Sequence, residues 1–437
     1  MGWAVQKLIL FLLLFSPLLL ASARPVWQLF WVIYVSVLLF GLIGFGLITK
    51  GRYFTLTNKL PSASVAGISL FFMAGLYQVW TFSSPELVGN ATFFLSQGIS
   101  YLFFMLIIFQ TLKKRDDAAK FLIQISNIIF LFSAIGFVVY VTGNDYVLWF
   151  EKTAYRDSLT STFINRNSFA TYVGIGLLLS VMELRMVVST IEKGAPIDRH
   201  FVRENIQLFL TKGWKVLIKV LLLGVVLLLT VSRAGVFVSL LMLGVYLAVA
   251  SGLYTRGAGL RMKIATLGLF IAGGLALFAF SGDKLDKRLS LNITEDARAA
   301  AFPQIIEGIK DKPLLGHGAG SFEDVFAAYR PADLPVYFDR AHNDYLEIAF
   351  TLGVPAALAL FGAFLAVCWK LKRALYYTQA YREHLLVILV IAGQLGLHSL
   401  VDFSLQMPAV AYTFLAILSV GLVIADKSVK QGKKISG

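Results

Sequence analysis

The chain reads as an all-α polytopic membrane protein with about twelve transmembrane helices. Three observations predict this. First, 58% of its 437 residues are hydrophobic and only 15% are charged, against about a quarter charged in an ordinary soluble domain. Mean hydropathy is +0.75. Second, apolar runs long enough to cross a bilayer recur along the whole chain. Third, the 39 Lys and Arg that outnumber 25 Asp and Glu, for a net +14, lie mainly between those runs. A basic nucleic-acid-binding domain would be charged throughout, and a disordered chain would not carry this much apolar surface. The single cysteine, Cys368, excludes a disulfide framework and a cysteine zinc site. The histidines have no HxxxH or HxH spacing, which argues against a histidine-built metal site.

Runs of roughly 17–25 residues place helices at 7–23, 27–49, 62–82, 92–113, 119–141, 167–189, 213–231, 234–251, 262–281, 345–370, 384–401 and 407–425. The first run also has the form of a signal peptide. Lys7 precedes Leu8 to Leu20, and Ala21-Ser22-Ala23 resembles a cleavage site. Cleavage there would leave the sidedness of the other loops unchanged. With the N-terminus inside, 25 of the Lys and Arg fall in inner segments and 13 in outer ones, and Arg185 sits near the inner end of the sixth span. Eight of the outer thirteen share one long loop, so the short loops contrast more sharply still. The positive-inside rule then puts both termini in the cytoplasm. The inner basic stretch 190–212 is expected to rest on anionic headgroups.

Three regions follow: spans one to nine over 1–281, a large external loop over 282–344, and spans ten to twelve with a short tail over 345–437. The loop is too long for a mere connection. It contains an amphipathic helix around Ala297–Ile309, the Gly-rich turn Gly316-His317-Gly318-Ala319-Gly320, and a short helix around Phe322–Tyr329. A second external loop, 142–167, is polar and aromatic. There is no internal repeat, low-complexity tract or soluble domain at either end.

No Walker motif occurs, and no external DxD pair offers a metal to a sugar phosphate. The Gly-rich turn reads more simply as backbone needing positive φ than as a phosphate cradle. The predicted bundle holds mainly amides at depth, among them Gln78, Gln97, Gln124 and Asn127. Its ionisable exceptions, His398 and Asp402, fall near the outer end of the eleventh span. Transporters place such groups at mid-membrane, so chemistry is expected at the outer boundary instead.

Four features meet there. In Asp339-Arg340-Ala341-His342-Asn343-Asp344-Tyr345-Leu346-Glu347, the spacing Asp344-x-x-Glu347 predicts a capping box opening the tenth helix. His342 then precedes a helix N-terminus, whose positive dipole end disfavours imidazolium. A neutral imidazole can accept a proton as a general base; a histidine that merely caps or bonds within the loop is the plain alternative. In Thr230-Val231-Ser232-Arg233-Ala234-Gly235, Arg233 lies between two apolar runs with almost no loop. It either holds an anionic phosphate or snorkels to water. In Asn165-Arg166-Asn167-Ser168, Asn167 or Ser168 is expected to cap the sixth helix, leaving Arg166 beside free backbone N–H groups or simply exposed. Lys284, Lys287 and Arg288 follow the ninth span as headgroup anchors or as specific contacts. Loop 282–344 holds eight Lys and Arg against eleven Asp and Glu, so no diffuse basic surface explains them. Together these residues suggest group transfer from a donor already activated as a lipid-linked pyrophosphate, with arginines in place of a metal and no cofactor.

At this point the ordered set of motifs resembles the O-antigen ligase/polymerase family. It comprises Pro313-Leu314-Leu315-Gly316-His317-Gly318-Ala319-Gly320-Ser321-Phe322, Ala341-His342-Asn343-Asp344-Tyr345-Leu346-Glu347 and Gly353-Val354-Pro355. The helix break at Ser232-Arg233-Ala234-Gly235 and the Asn165-Arg166-Asn167 stretch also match. The motifs span about 160–370, and the topology covers the whole chain. The resemblance implies a GT-C-like fold in the bacterial inner membrane and a large periplasmic loop. It implies inverting, metal- and ATP-independent transfer of glycan from undecaprenyl pyrophosphate, with lipid A–core as the ligase acceptor. Carried over residue by residue, it implies His342 as the catalytic histidine. Arg166, Arg233 and Arg288 would bind the donor pyrophosphate, with Asn343, Arg340 and Asp402 supporting. His317 departs from the family, which often has an apolar or aromatic residue between those glycines, and it stands as a second candidate histidine. Pilin-glycosylating relatives often carry an extra soluble C-terminal region, whereas this chain ends twelve residues after its last predicted span.

Four functions compete. The ligase and a polymerase of O-antigen or exopolysaccharide share fold and chemistry and differ in acceptor. A lipid-linked oligosaccharide flippase would need a polar mid-membrane cavity. A structural scaffold would need no arginine buried near an external histidine. Membrane lipids are expected partners throughout, and nucleic acid is not.

Overall fold

The computed structural model describes residues 2–49, 60–191, 211, 213–254, 264, 265, 267–275, 293–331 and 337–436. They form an all-helical bundle with one two-stranded hairpin. The helices are α1 (Gly2–Leu18), α2 (Pro25–Ile48), α3 (Ser62–Thr81), α4 (Pro85–Thr111), α5 (Arg115–Thr142), α6 (Arg166–Ile191), α7 (Trp214–Leu229), α8 (Arg233–Tyr254), α9 (Ile293–Asp311), α10 (Phe322–Phe326), α11 (Asp344–Leu352), α12 (Val354–Ala374), α13 (Arg382–His398) and α14 (Pro408–Ser436). Residues 267–275, in the predicted ninth span, are also helical. The hairpin pairs β1 (Tyr146–Val147) with β2 (Phe150–Glu151).

Among the described residues, eight helices are long and apolar enough to cross a membrane: α2, α3, α4, α5, α6, α8, α12 and α14. Helix α1 is apolar but has 17 residues, and α7 and α13 have 16 and 17. Burial separates two roles. In α14, 94% of the apolar window is buried, and in α6 67%. These two helices form the interior, with α5, α8 and α13 packed around them. Only 22% of the window is buried in α2, α3 and α12, which turn apolar faces outward as lipid-facing helices do. Helix α3 lies along α12, and the Ser64 hydroxyl donates to the Ala363 carbonyl at 2.7 Å.

The loops that charge assigned to one side meet at one end of the bundle. Arg24 lies over the Phe150 ring at 5.3 Å, and Leu159 N–H donates to the Leu229 carbonyl at 2.9 Å. Asn90 at the start of α4 donates to Asp324 at 2.9 Å. At the opposite end, Arg115 meets Gln431 and Tyr381 meets Asp116.

The structure corrects two expectations. The tenth span, 345–370, is two helices. Gly353, at φ +87°, separates α11 from α12, and Pro355 falls in the first turn of α12. The bundle also holds buried ion pairs that apolar patterning hid. Lys219 donates to Glu183 at 2.9 Å and to Asn127 at 2.9 Å; Arg185 pairs with Glu383, which also accepts from the Tyr246 hydroxyl at 2.6 Å. The described part of the long loop has a small core of Ala301, Ile305, Phe322, Phe326, Phe338 and Ala341 with Phe350, supplied by α9, α10, the turn before α11 and α11 itself. Residues 192–210 of the predicted basic stretch, and Lys284, Lys287 and Arg288, lie outside the described residues.

Candidate active site

The Gly-rich turn is a packing device. Gly316 and Gly318 have φ of +66° and +135°. A Cβ on Gly316 would stand 2.5 Å from the Thr351 carbonyl, and one on Gly353 2.2 Å from that of Leu314. The turn therefore lies backbone to backbone on the α11–α12 break. Its amides are spent there. Gly316 N–H donates to Lys312 O at 3.0 Å, His317 N–H to Phe350 O at 2.9 Å, Gly318 N–H to Thr351 O at 2.8 Å, and Ala319 N–H to Gln78 Oε1 at 2.9 Å. No phosphate cradle remains at these positions. His317 belongs to the same packing. Its Nε2 lies 2.7 Å from the Gly308 carbonyl, which can only accept, so Nε2 carries the proton. Its ring stacks on Phe350 at 4.5 Å. Burial pushes its pKa down.

His342 sits elsewhere. It has φ +52°, a left-handed backbone that His visits more readily than most residues. The turn delivers it just before α11, but Asp344 does not cap that helix. Asn343 does: its Oδ1 accepts from Tyr345 N–H and Leu346 N–H, both at 3.0 Å. Asp344 is drawn instead to Ser399 and Gln406, at 2.7 and 3.0 Å. Glu347 accepts from Ala341 N–H at 2.8 Å and pairs with Arg340 at 3.4 Å, so Arg340 braces the same turn.

The His342 Nδ1 faces Asp402 Oδ1 at 3.8 Å, with side-chain exposures of 14% and 1%. That is an ion-pair distance, beyond hydrogen-bond reach. The Phe403 ring packs edgewise on the imidazole at 4.8 Å. Asp402 accepts from Ser404 at 2.5 Å and from Asn167 at 3.3 Å. Burial alone would raise its pKa, yet the facing His342 and His398 and the Ser404 hydroxyl together hold it below the usual carboxylate range. Thr171 Oγ1 joins His398 Nδ1 at 2.6 Å to Ser404 at 3.1 Å.

Asn167 carries this network to the arginines. The Ser232 hydroxyl donates to Asn167 Oδ1 at 2.8 Å. Asn167 is available because Asn165, not Asn167 or Ser168, caps α6: its Oδ1 accepts from Asn167 N–H at 2.7 Å. Ser232 caps α8, accepting from Gly235 N–H at 3.2 Å. Arg166 and Arg233 are thus the first residues of two helices bound to each other at their starts. The positive dipole end of a helix favours anions there. Arg166 also lies over the Tyr155 ring at 5.2 Å. The close approach needs small residues: a Cβ on Gly235 would stand 2.6 Å from the Ala170 methyl.

His342, Asn343, Asp402, Arg166 and Arg233 therefore belong to one end of the bundle, linked through Ser232, Asn167 and Asp402. Thr171, Ser404, Ser399 and Gln406 complete the network and were not singled out from sequence. Thr171 lies one helical turn beyond Asn167, which is the signal that could have found it. Among the described residues, no group of three or more His, Cys, Asp or Glu is placed to hold a metal ion. Beside this site, a cavity of about 430 Å³ lies between α3, α4, α12, α13 and α14. Its walls are mainly apolar, including Phe71, Tyr101, Phe364 and Leu418, and Arg340, Asp344 and Glu347 also line it. Its lining along α4 runs from Asn90 to Met105, about 22 Å at the helical rise.

Residues 218–361, about a third of the chain, match the family model described as O-antigen ligase. The match includes Arg233, the Gly-rich turn and His342. A search of the curated proteins found no match.

Proposed function

We propose that this chain is an O-antigen ligase, a reading supported by the match of residues 218–361 to the O-antigen ligase family model. It moves polysaccharide from undecaprenyl pyrophosphate to a sugar hydroxyl of lipid A–core. The reading takes the bundle as twelve spans of a GT-C-like fold in the bacterial inner membrane, with both termini cytoplasmic and the His342 end periplasmic.

The observation that carries it is the Ser232–Asn167–Asp402–His342 succession. It brings an arginine-headed pair of helix starts and a histidine–aspartate pair to one place. With Nδ1 facing Asp402, Nε2 is the nitrogen that takes the acceptor's proton in this reading. The acceptor oxygen attacks the anomeric carbon as that proton leaves. The bond to the pyrophosphate oxygen breaks with its electron pair, and the configuration inverts. Arg166, Arg233 and Arg288 balance the charge gathering on undecaprenyl pyrophosphate. Asn343 and Arg340 hold the turn, Asp402 stabilises the imidazolium, and the long apolar cavity suits a hydrocarbon chain.

The test is reconstitution with lipid-linked glycan and two acceptors, lipid A–core and a second lipid-linked glycan. Transfer to lipid A–core is expected. Exclusive transfer to the second lipid-linked glycan would make the chain a polymerase. His342→Ala is expected to insert normally and to abolish transfer; normal transfer by that variant would reject the mechanism. Arg233→Lys should weaken use of donor more than of acceptor, because a point charge lacks the guanidinium fork. A strict requirement for added Mg²⁺ would overturn the arginine assignment.

A further inference from the structure

We infer that Asp344 is a positioning residue: its carboxyl clasps both ends of the 399–406 turn and so holds Asp402 and Phe403 against His342. The inference rests on the catalytic reading of His342 given above. The turn leaves α13 at Ser399 and enters α14 at Pro408. The Ser399 hydroxyl donates to Asp344 Oδ2 at 2.7 Å, and Gln406 Nε2 donates to Oδ1 at 3.0 Å. Asp344 N–H donates to the Ser399 carbonyl at 2.9 Å, and Asn343 Nδ2 to that of Leu400 at 2.9 Å. Residues 343 and 344 thus grip the turn on both sides of Asp402.

The leverage is short. Asp344 lies two residues after His342, on a helix start already fixed by the Asn343 cap. Its two partners flank Asp402 and the ring that packs on the imidazole. The His342–Asp402 separation is therefore set where the clasp binds the two segments together. Asp344 is buried, with Glu347 and Asp402 as further acidic neighbours. Burying a carboxyl beside other acids is a costly way to fill space, and filling space alone would be better done by an apolar side chain. Its carboxyl is bonded to the turn and not to His342, so it acts through the pair it aligns.

Steady-state kinetics of the full chain in proteoliposomes tests this, with His342→Ala measured alongside. Asp344→Ala is expected to lower kcat by about tenfold to a hundredfold, as misplacement of a reacting group by about 1 Å does. KM for donor and acceptor should stay within about twofold. Asp344→Asn should recover most of that loss. Its amide oxygen still accepts from Ser399, and a turned Gln406 amide accepts from its nitrogen. Wild-type kcat in Asp344→Ala overturns the inference. So does an equal loss in Asp344→Asn, which would place the effect in the charge. If Asp344→Ala does not fold, Gln406→Ala and Ser399→Ala each remove one arm, and unchanged kcat in both overturns it equally. An active His342→Ala would instead defeat the catalytic reading itself.

Discussion

Asp402→Asn removes one buried charge while keeping the shape of the side chain and its acceptor oxygen for Ser404. In the proposed reaction an imidazolium forms on His342, 3.8 Å from the Asp402 carboxylate. At an effective dielectric near 20, opposite charges at that distance attract by about 4 kcal/mol. The two side chains are 14% and 1% exposed, so solvent screens this little. The remaining amide dipole returns part of it. A loss of about 3–4 kcal/mol in the transition state lowers kcat by roughly 10²–10³-fold. In the proposed reaction the imidazolium charge develops only in the transition state, so KM for both substrates should stay within about twofold. The assay is initial-rate glycan transfer in proteoliposomes, with size-exclusion elution and thermal unfolding confirming a native fold. A folded Asp402→Asn variant with kcat within threefold of wild type would refute the electrostatic argument. A loss confined to KM would move Asp402 from catalysis to binding.

Three further outcomes are expected. Burial, with Glu347 and Asp402 nearby, pushes the Asp344 pKa up to about 7 from 3.8. The folded state then binds the extra proton, so this contribution to stability is full below about pH 4 and is lost as pH rises through 7; Asp344→Asn should flatten the melting-temperature profile between those limits. His317→Phe should preserve stacking on Phe350 but remove the shorter of two hydrogen bonds to the Gly308 carbonyl, which keeps the Lys312 N–H at 3.4 Å, costing about 0.5–1.5 kcal/mol. Transfer at low temperature should continue, and its loss in a folded variant would return His317 to the catalytic candidates. Gly353→Ala combines positive φ with a Cβ 2.2 Å from the Leu314 carbonyl, so it should cost at least the roughly 1–3 kcal/mol of backbone strain. Faster proteolysis of the segment before α11 would report it, and unchanged cleavage and melting would contradict the packing described.

The residues of the candidate site were legible to different degrees, for identifiable reasons. Arg233 could be picked out because it interrupts two apolar runs, and His342 and Arg166 because each stands in a polar stretch before or at a helix start. The caps were misassigned by one to three residues. Asn343 and Asp344 are both good N-cap residues, and the choice between them turned on Ser399 and Gln406, some 55 and 62 positions away. At Asn165 and Asn167 the same tie was broken by Ser232. The division of the tenth span was visible in Gly353-Val354-Pro355, since Gly ends helices and Pro begins them. The run of apolar residues masked it. Lys219 and Glu183 were not singled out, because nothing local says that two charges from different helices will meet.

Taken alone, the sequence determined that the chain crosses a membrane several times, where most of its helices lie, and which loops share an end. These properties follow from terms that add along the chain: transfer of each apolar run into lipid, and the alternation that successive crossings impose. Only the tertiary structure decided which side chains meet. Asn167 and Asp402 are 235 positions apart, and their contact depends on the rotation and approach of α6, α8 and α13. That approach is governed by clearances such as the one at Gly235, where a single added methyl would collide with Ala170. Packing of this kind is a joint property of several helices, so no periodicity within one of them could express it.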